Sequence, residues 1–241
     1  MNDEFYIGYL PKAPLFLGRF TRNVVIAFAV IALGIAAILA ATLPYFGTGE
    51  FDFGNPREYT GTVRCEMGPR LIAADGTEYL LVGYGKNRVA PEICGANGSE
   101  VTLRGTLIQR EGKQLLETIT PPKLGGAGST APQSIPLGRF TLTGEIVDSK
   151  CYFGVMNPAE GRMHRACAVL CLKGGVPAVF VARDQTGATV HLLITGPDGQ
   201  PMNDQLLRWV GEGVKATGDI IRQGKWLVWH LDPKTLHPSS Y

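Results

Sequence analysis

The chain has 241 residues, 45% of them hydrophobic, with 23 lysines and arginines against 21 aspartates and glutamates. Acidic and basic residues alternate and no lysine or arginine block occurs, which argues against a dedicated polyanion binder and against nucleic acid as a partner. The five cysteines leave at least one over once pairs form.

Val24 to Leu43 is an uncharged run of apolar and small residues. About twenty such residues at 1.5 Å rise match the hydrocarbon thickness of a bilayer, so residues 23–46 predict one transmembrane helix after a short segment, 1–22. A cleaved signal peptide fits less well. Its apolar region spans about 7–15 residues before an Ala-x-Ala site, whereas Leu39-Ala-Ala-Thr-Leu-Pro leads into aromatics. Lys12, Arg19 and Arg22 flank the N-terminal side, while Glu50 and Asp52 open the other before Arg57. The positive-inside rule then puts the N-terminus in the cytoplasm and the rest outside, with Tyr45, Phe46, Phe51 and Phe53 near the headgroups as an aromatic belt. The expected setting is a bacterial inner membrane crossed once, with the C-terminal domains periplasmic. The bilayer and other membrane-protein subunits are the expected partners.

Beyond the anchor, the Pro/Gly/Ser-rich segment 121–138 lacks periodic apolar positions and predicts a linker. The sequences on either side repeat each other. Thr60-Gly-Thr-Val-Arg corresponds to Thr143-Gly-Glu-Ile-Val, and Val101-x-x-x-Gly105-Thr-Leu-Ile to Val214-x-x-x-Gly218-Asp-Ile-Ile. Each copy predicts five short strands with a connector before the fourth, the order of an oligonucleotide/oligosaccharide-binding (OB) barrel. The fold class is therefore mainly β: a transmembrane helix followed by two OB-like five-stranded β-barrels, at 54–120 and 139–235.

The second copy carries a Cys/His insertion, 150–178. Asn157 as N-cap, Pro158, the acid at Glu160 and the Gly174-Gly175 stop predict a helix over about 158–173. Positions 164, 167 and 171 are spaced i, i+3 and i+7, so His164, Cys167 and Cys171 share a face, and Cys151 can fold back towards it. One reading is a metal site of Cys151, His164, Cys167 and Cys171, a three-thiolate, one-imidazole set suited to zinc or copper(I). The C-x12-H-x2-C-x3-C spacing lacks the close Cys-x-x-Cys pair of common zinc fingers, and Cys-x-x-Cys-His, the covalent haem motif, is absent. A disulfide from Cys151 to Cys167 or Cys171 is a second reading. A thiol activated by His164 is a third.

In the first copy Cys65 and Cys94 predict a disulfide. His191 and His230 are expected as packed or surface histidines. Met156 and Met163 either serve copper as thioethers or fill space against the barrel. Asp148 and Lys150 are expected as a solvated pair, and Glu160 as a helix-cap residue. No Ser-His-Asp set, paired catalytic carboxylates, phosphate loop or nucleotide fingerprint stands out, which argues against a hydrolase or nucleotide enzyme.

The run Asp148-Ser-Lys-Cys-Tyr-Phe-Gly-Val-Met-Asn-Pro through His164-x-x-Cys-Ala-x-x-Cys-x-x-Gly-Gly-Val-Pro resembles a segment of uncharacterised bacterial membrane-associated proteins. That resemblance implies a bacterial origin and a recurring Cys/His constellation. One anchor followed by an OB-like domain is also similar to the periplasmic haem chaperones of cytochrome c maturation, although these carry one barrel and His237 to Tyr241 does not reproduce their C-terminal tyrosine motif. The expected function is a periplasmic binding or accessory subunit of a membrane complex, linked to electron transfer or metal handling. The alternative is a thiol-dependent oxidoreductase or a metal or haem delivery protein.

Overall fold

A computed structural model describes residues 15–42, 49–183, 186 and 188–239. It divides into two compact units, Met1–Phe46 and Gly47–Tyr241. In the first, helix α1 (Leu15–Thr42) buries none of its residues within the protein and is long and apolar enough to span a membrane. The helix starts ahead of the expected residue 23, so Arg19 and Arg22 lie on its first turns. Their aliphatic stems let such charges reach out of an apolar layer. Residues 43–46, with Tyr45 and Phe46 of the expected belt, lie outside the described residues.

The second unit is mainly β. Its first half contains β1 (Glu50–Phe51), β2 (Arg57–Arg64), β3 (Arg70–Ile72), β4 (Glu78–Gly83), α2 (Pro91–Gly95), β5 (Ser99–Arg110), β6 (Lys113–Thr118) and β7 (Lys123–Ala127). Strand β2 pairs with β3, β3 with β4, β4 with β6 in parallel, β6 with β5, and β5 back with β2. This ring is a closed five-strand barrel, with α2 before its fourth strand as expected. Inward positions bring Val63, Leu71, Leu81, Val101, Leu103 and Leu116 together, with Ile93 of α2 against them. Gly61 is required by close approach, because a Cβ there would lie 2.4 Å from the Ile72 carbonyl oxygen.

The second half contains β8 (Ser134–Asp148), α3 (Gly161–Lys173), β9 (Ala178–Arg183), β10 (Thr189–Thr195), α4 (Asn203–Leu206), β11 (Gly213–Gln223), β12 (Trp226–Leu231) and β13 (His237–Pro238). Its strands lie in the order β12-β10-β9-β8-β11-β13, and β12 also pairs with β11. The parallel pairing β10–β12 recurs at the position of β4–β6. Gly144, the counterpart of Gly61 in the sequence repeat, meets the same constraint, since its Cβ would lie 2.2 Å from the Val181 carbonyl oxygen. Ile146, Phe180, Leu192, Val214 and Trp229 form this core, with Ala168 and Leu172 of α3 and Leu206 of α4.

Two expectations are corrected. The segment 121–138 is not unstructured: β7 pairs with β5, and β8 begins at Ser134 and pairs with β11. Main-chain hydrogen bonding needs no apolar side chain, so these wholly exposed strand positions carried no periodic signal. The halves also share a core. Leu80, Val82, Ile108 and Leu115 of the first pack with Val147, Tyr152, Phe153, Leu193 and Trp226 of the second. Each such residue contributes about 1.5–3 kcal/mol when fully buried, so the halves are strongly coupled.

Candidate metal and thiol centre

The centre is built where β8 ends. Asp148 and Ser149 lead into a single π-type turn, Cys151–Val155, that buries Cys151, Tyr152 and Phe153. Asp148 is fully buried, and its Oδ1 accepts the Cys151 N–H at 2.8 Å, fixing the turn. Helix α3 follows, and its buried residues, His164, Ala168, Cys171 and Leu172, fall at i, i+4, i+7 and i+8. It starts at Gly161 rather than near 158, because Glu160 is extended at φ −145°. Neither Asn157 nor Glu160 caps it. Glu145 on β8 does so from outside the segment, accepting the Gly161 N–H at 2.6 Å, while Glu160 pairs with Arg183. Burial raises the Glu145 carboxyl to about 7 against the stabilising Gly161 hydrogen bond.

Cys151 Sγ lies 3.9 Å from both Cys167 Sγ and Cys171 Sγ. All three are free thiols, so the expected alternative of a disulfide from Cys151 is not formed. The Cys65–Cys94 disulfide is present, at 2.05 Å. Donor atoms fall into two groups, each within 4.8 Å: Cys151, His164 and Cys167, and Asp148, Cys151 and Cys171. Either group could hold a metal ion, with Cys151 common to both. His164 Nε2 lies 3.0 Å from Asp148 Oδ2. Such a carboxylate–imidazole pair fixes ring orientation in metal sites.

A residue of the first half completes the centre. Lys86 Nζ lies 2.7 Å from Cys167 Sγ and 3.9 Å from Cys171 Sγ. Its loop is docked on the end of α3, where Arg88 N–H donates to the Gly174 carbonyl at 2.7 Å. Gly174 is needed for this approach, since a Cβ would lie 1.7 Å from the Lys86 carbonyl oxygen. The hydrogen bond from Cys151, assisted by the Lys86 charge, pulls the Cys171 thiol below its ordinary range against burial and Asp148. Donation to Cys171, burial and the Asp148 charge push the Cys151 thiol up. The hydrogen bond to Cys167 raises Lys86. Cys151 thus donates to Cys171, with the Lys86 ammonium beside both helix sulfurs.

The sulfurs form one wall of a cleft of about 330 Å³ whose other walls include Phe51, Phe53, Tyr84 and Met156. Phe51 is thus partly buried in the fold and Phe53 stands exposed at the cleft, where a headgroup belt was expected. Met156 is 45% and Met163 85% exposed, so neither is enclosed by packing.

Asp148 and Lys150, expected as a solvated pair, are both buried and do not pair with each other. Lys150 Nζ crosses to the first half, donating to Gly83 O at 2.8 Å, Gly85 O at 2.6 Å and the Glu117 carboxylate. Elsewhere, His191 is buried against Tyr152 and Phe153, and burial lowers it to about 4, while His230 hydrogen-bonds Thr195. Both are packed, as expected.

Asp148 left one trace in the sequence, its place three residues before a turn-forming N–H. Lys86 left none, being 65 residues before Cys151 and in the other repeat. No family model, no curated protein and no solved structure matches the chain.

Proposed function

We propose that the chain is a membrane-anchored metal-handling protein, a periplasmic accessory subunit of a membrane complex with tandem OB-like barrels. One observation carries the reading: Cys151 Sγ stands 3.9 Å from Cys167 Sγ and from Cys171 Sγ at an open cleft. Metal–thiolate bonds of about 2.3 Å at tetrahedral or trigonal angles separate sulfurs by about 3.7–4.0 Å, so Cys151 with either helix cysteine is already spaced to share an ion. Access through a cleft suits exchange of the ion better than a closed structural site does. His164, oriented by Asp148, supplies an imidazole on the Cys167 side.

The test is metal analysis of the full chain purified in detergent, after anaerobic incubation with zinc(II) or copper(I) and gel filtration. One retained equivalent that is lost in Cys151→Ser supports the reading. Protein that retains neither ion while its three thiols remain titratable overturns it. For the proposed orientation, a C-terminal alkaline phosphatase fusion is expected to be active, and an inactive, stably expressed fusion would reverse it.

The partly exposed Cys167 thiol, 2.7 Å from the Lys86 ammonium, favours a second reading, thiol–disulfide exchange. There Cys167 attacks a substrate disulfide, releasing one thiolate. Cys151, 3.9 Å away, then displaces the second to leave a Cys151–Cys167 bridge. Peptide mapping after treatment with oxidised glutathione would reveal that bridge or exclude it.

A further inference from the structure

We infer that the cleft selects copper(I) over zinc(II), with Lys86 setting the charge the site accepts and Met156 serving as a sulfur ligand at its mouth. This rests on the metal-handling reading and adds the identity of the ion.

Charge is the first argument. The Lys86 ammonium lies 2.7 Å and 3.9 Å from two of the three cysteine sulfurs, so an ion bound by those sulfurs sits beside a fixed positive charge. A divalent ion meets twice the repulsion a monovalent ion does. At about 4 Å and an effective dielectric near 20, the additional charge is worth about a thousandfold in affinity. Lys86 is exposed and can swing away, which lowers the expected discrimination to about tenfold.

The donors are the second argument. Both Asp148 oxygens are already engaged, Oδ1 by the Cys151 N–H and Oδ2 by His164 Nε2. The carboxylate that lines the cleft, Glu117, is held by Lys150, so an ion that takes an oxygen ligand from either acid competes with bonds the fold already makes. The cleft instead offers four sulfurs, because Met156 lines it together with Cys151, Cys167 and Cys171. Thioether ligation suits copper(I) and contributes little to zinc(II). Phe51, Phe53 and Val155 line the same cleft. Such apolar walls disfavour a strongly hydrated divalent ion more than a weakly hydrated monovalent one.

The experiment uses the full chain in detergent, reduced and anaerobic. Copper(I) affinity is measured by competition with bathocuproine disulfonate, and zinc(II) affinity by competition with a chromophoric zinc chelator. The readout is the ratio of the two affinities within each variant, so a partial folding defect that weakens both leaves it unmoved. Lys86→Met is expected to shift the ratio towards zinc about tenfold, and Met156→Leu to weaken copper(I) about tenfold with zinc unchanged. Both residues are exposed, which keeps the fold out of play. Ratios equal to wild type in both variants would overturn the selectivity while leaving a metal site standing. Wild-type protein that binds neither ion would remove the metal-handling reading, and this inference with it.

Discussion

Replacing Lys150 by methionine tests whether the two halves are locked together beneath the thiol centre. The Lys150 side chain is 3% exposed and that of Glu117 8%, and they form a buried ion pair across the halves. Lys150→Met leaves the Glu117 carboxylate buried with the Gly85 N–H at 3.3 Å, and strips a donor from the Gly83 and Gly85 carbonyls. Breaking one partner of a buried pair costs about 3–5 kcal/mol, because the remaining charge stays unsolvated. For a unit of this size that lowers the midpoint of unfolding by roughly 6–20 °C. Thermal and urea unfolding of the full chain in detergent, followed by fluorescence of Trp209, Trp226 and Trp229 in the second half, reads the loss. The double variant Lys150→Met/Glu117→Leu should recover most of it, since a matched apolar pair removes the stranded charge. A single-variant loss below about 1 kcal/mol, or strictly additive losses, would refute the buried pair and the coupling argued from it.

The shared core predicts that residues 138–241 expressed alone do not fold cooperatively, because Val147, Phe153, Leu193 and Trp226 lose their partners in the first half; a dispersed proton NMR spectrum from that fragment would contradict this. Glu145, raised from 4.5 to about 7, favours the protonated folded state, so its contribution is full below pH 4.5 and declines by about 3 kcal/mol as pH rises through 7. Glu145→Gln should abolish that decline and stabilise the protein at pH 8, as denaturant titrations across pH would show. His191, lowered from 6.5 to about 4, has the opposite dependence: its contribution is full above pH 6.5 and falls by about 3 kcal/mol as pH drops through 4. His191→Phe should flatten that acid limb. Converting both Cys65 and Cys94 to serine, which opens a loop with a separation of 29 residues, is expected to cost about 3–4 kcal/mol by chain entropy, measured by urea unfolding.

Local pattern sufficed for the long apolar helix, for the first barrel, and for the Cys65–Cys94 bridge. Alternating strands and the Gly61/Gly144 positions are local signals of burial and backbone approach, and a long apolar run is a local signal of membrane-spanning length. The helical face bearing His164, Cys167 and Cys171 was likewise legible, because i, i+3 and i+7 spacing fixes a face wherever the helix packs. Tertiary structure decided the rest. Glu145 replaced the expected cap, β5 recruited the featureless 123–127 as a strand through main-chain bonds alone, and Lys150 turned inward to Glu117 rather than pairing with Asp148. Lys86 reached the sulfurs from the other half. These partners lie 16 to 81 residues apart in sequence, and charge–charge and main-chain pairing leave no periodicity in either partner. What the sequence determined is which residues could take part in the site. Which charges stand beside the sulfurs was decided only when the two repeats closed over one core, where burial raises the cost of every unpaired group.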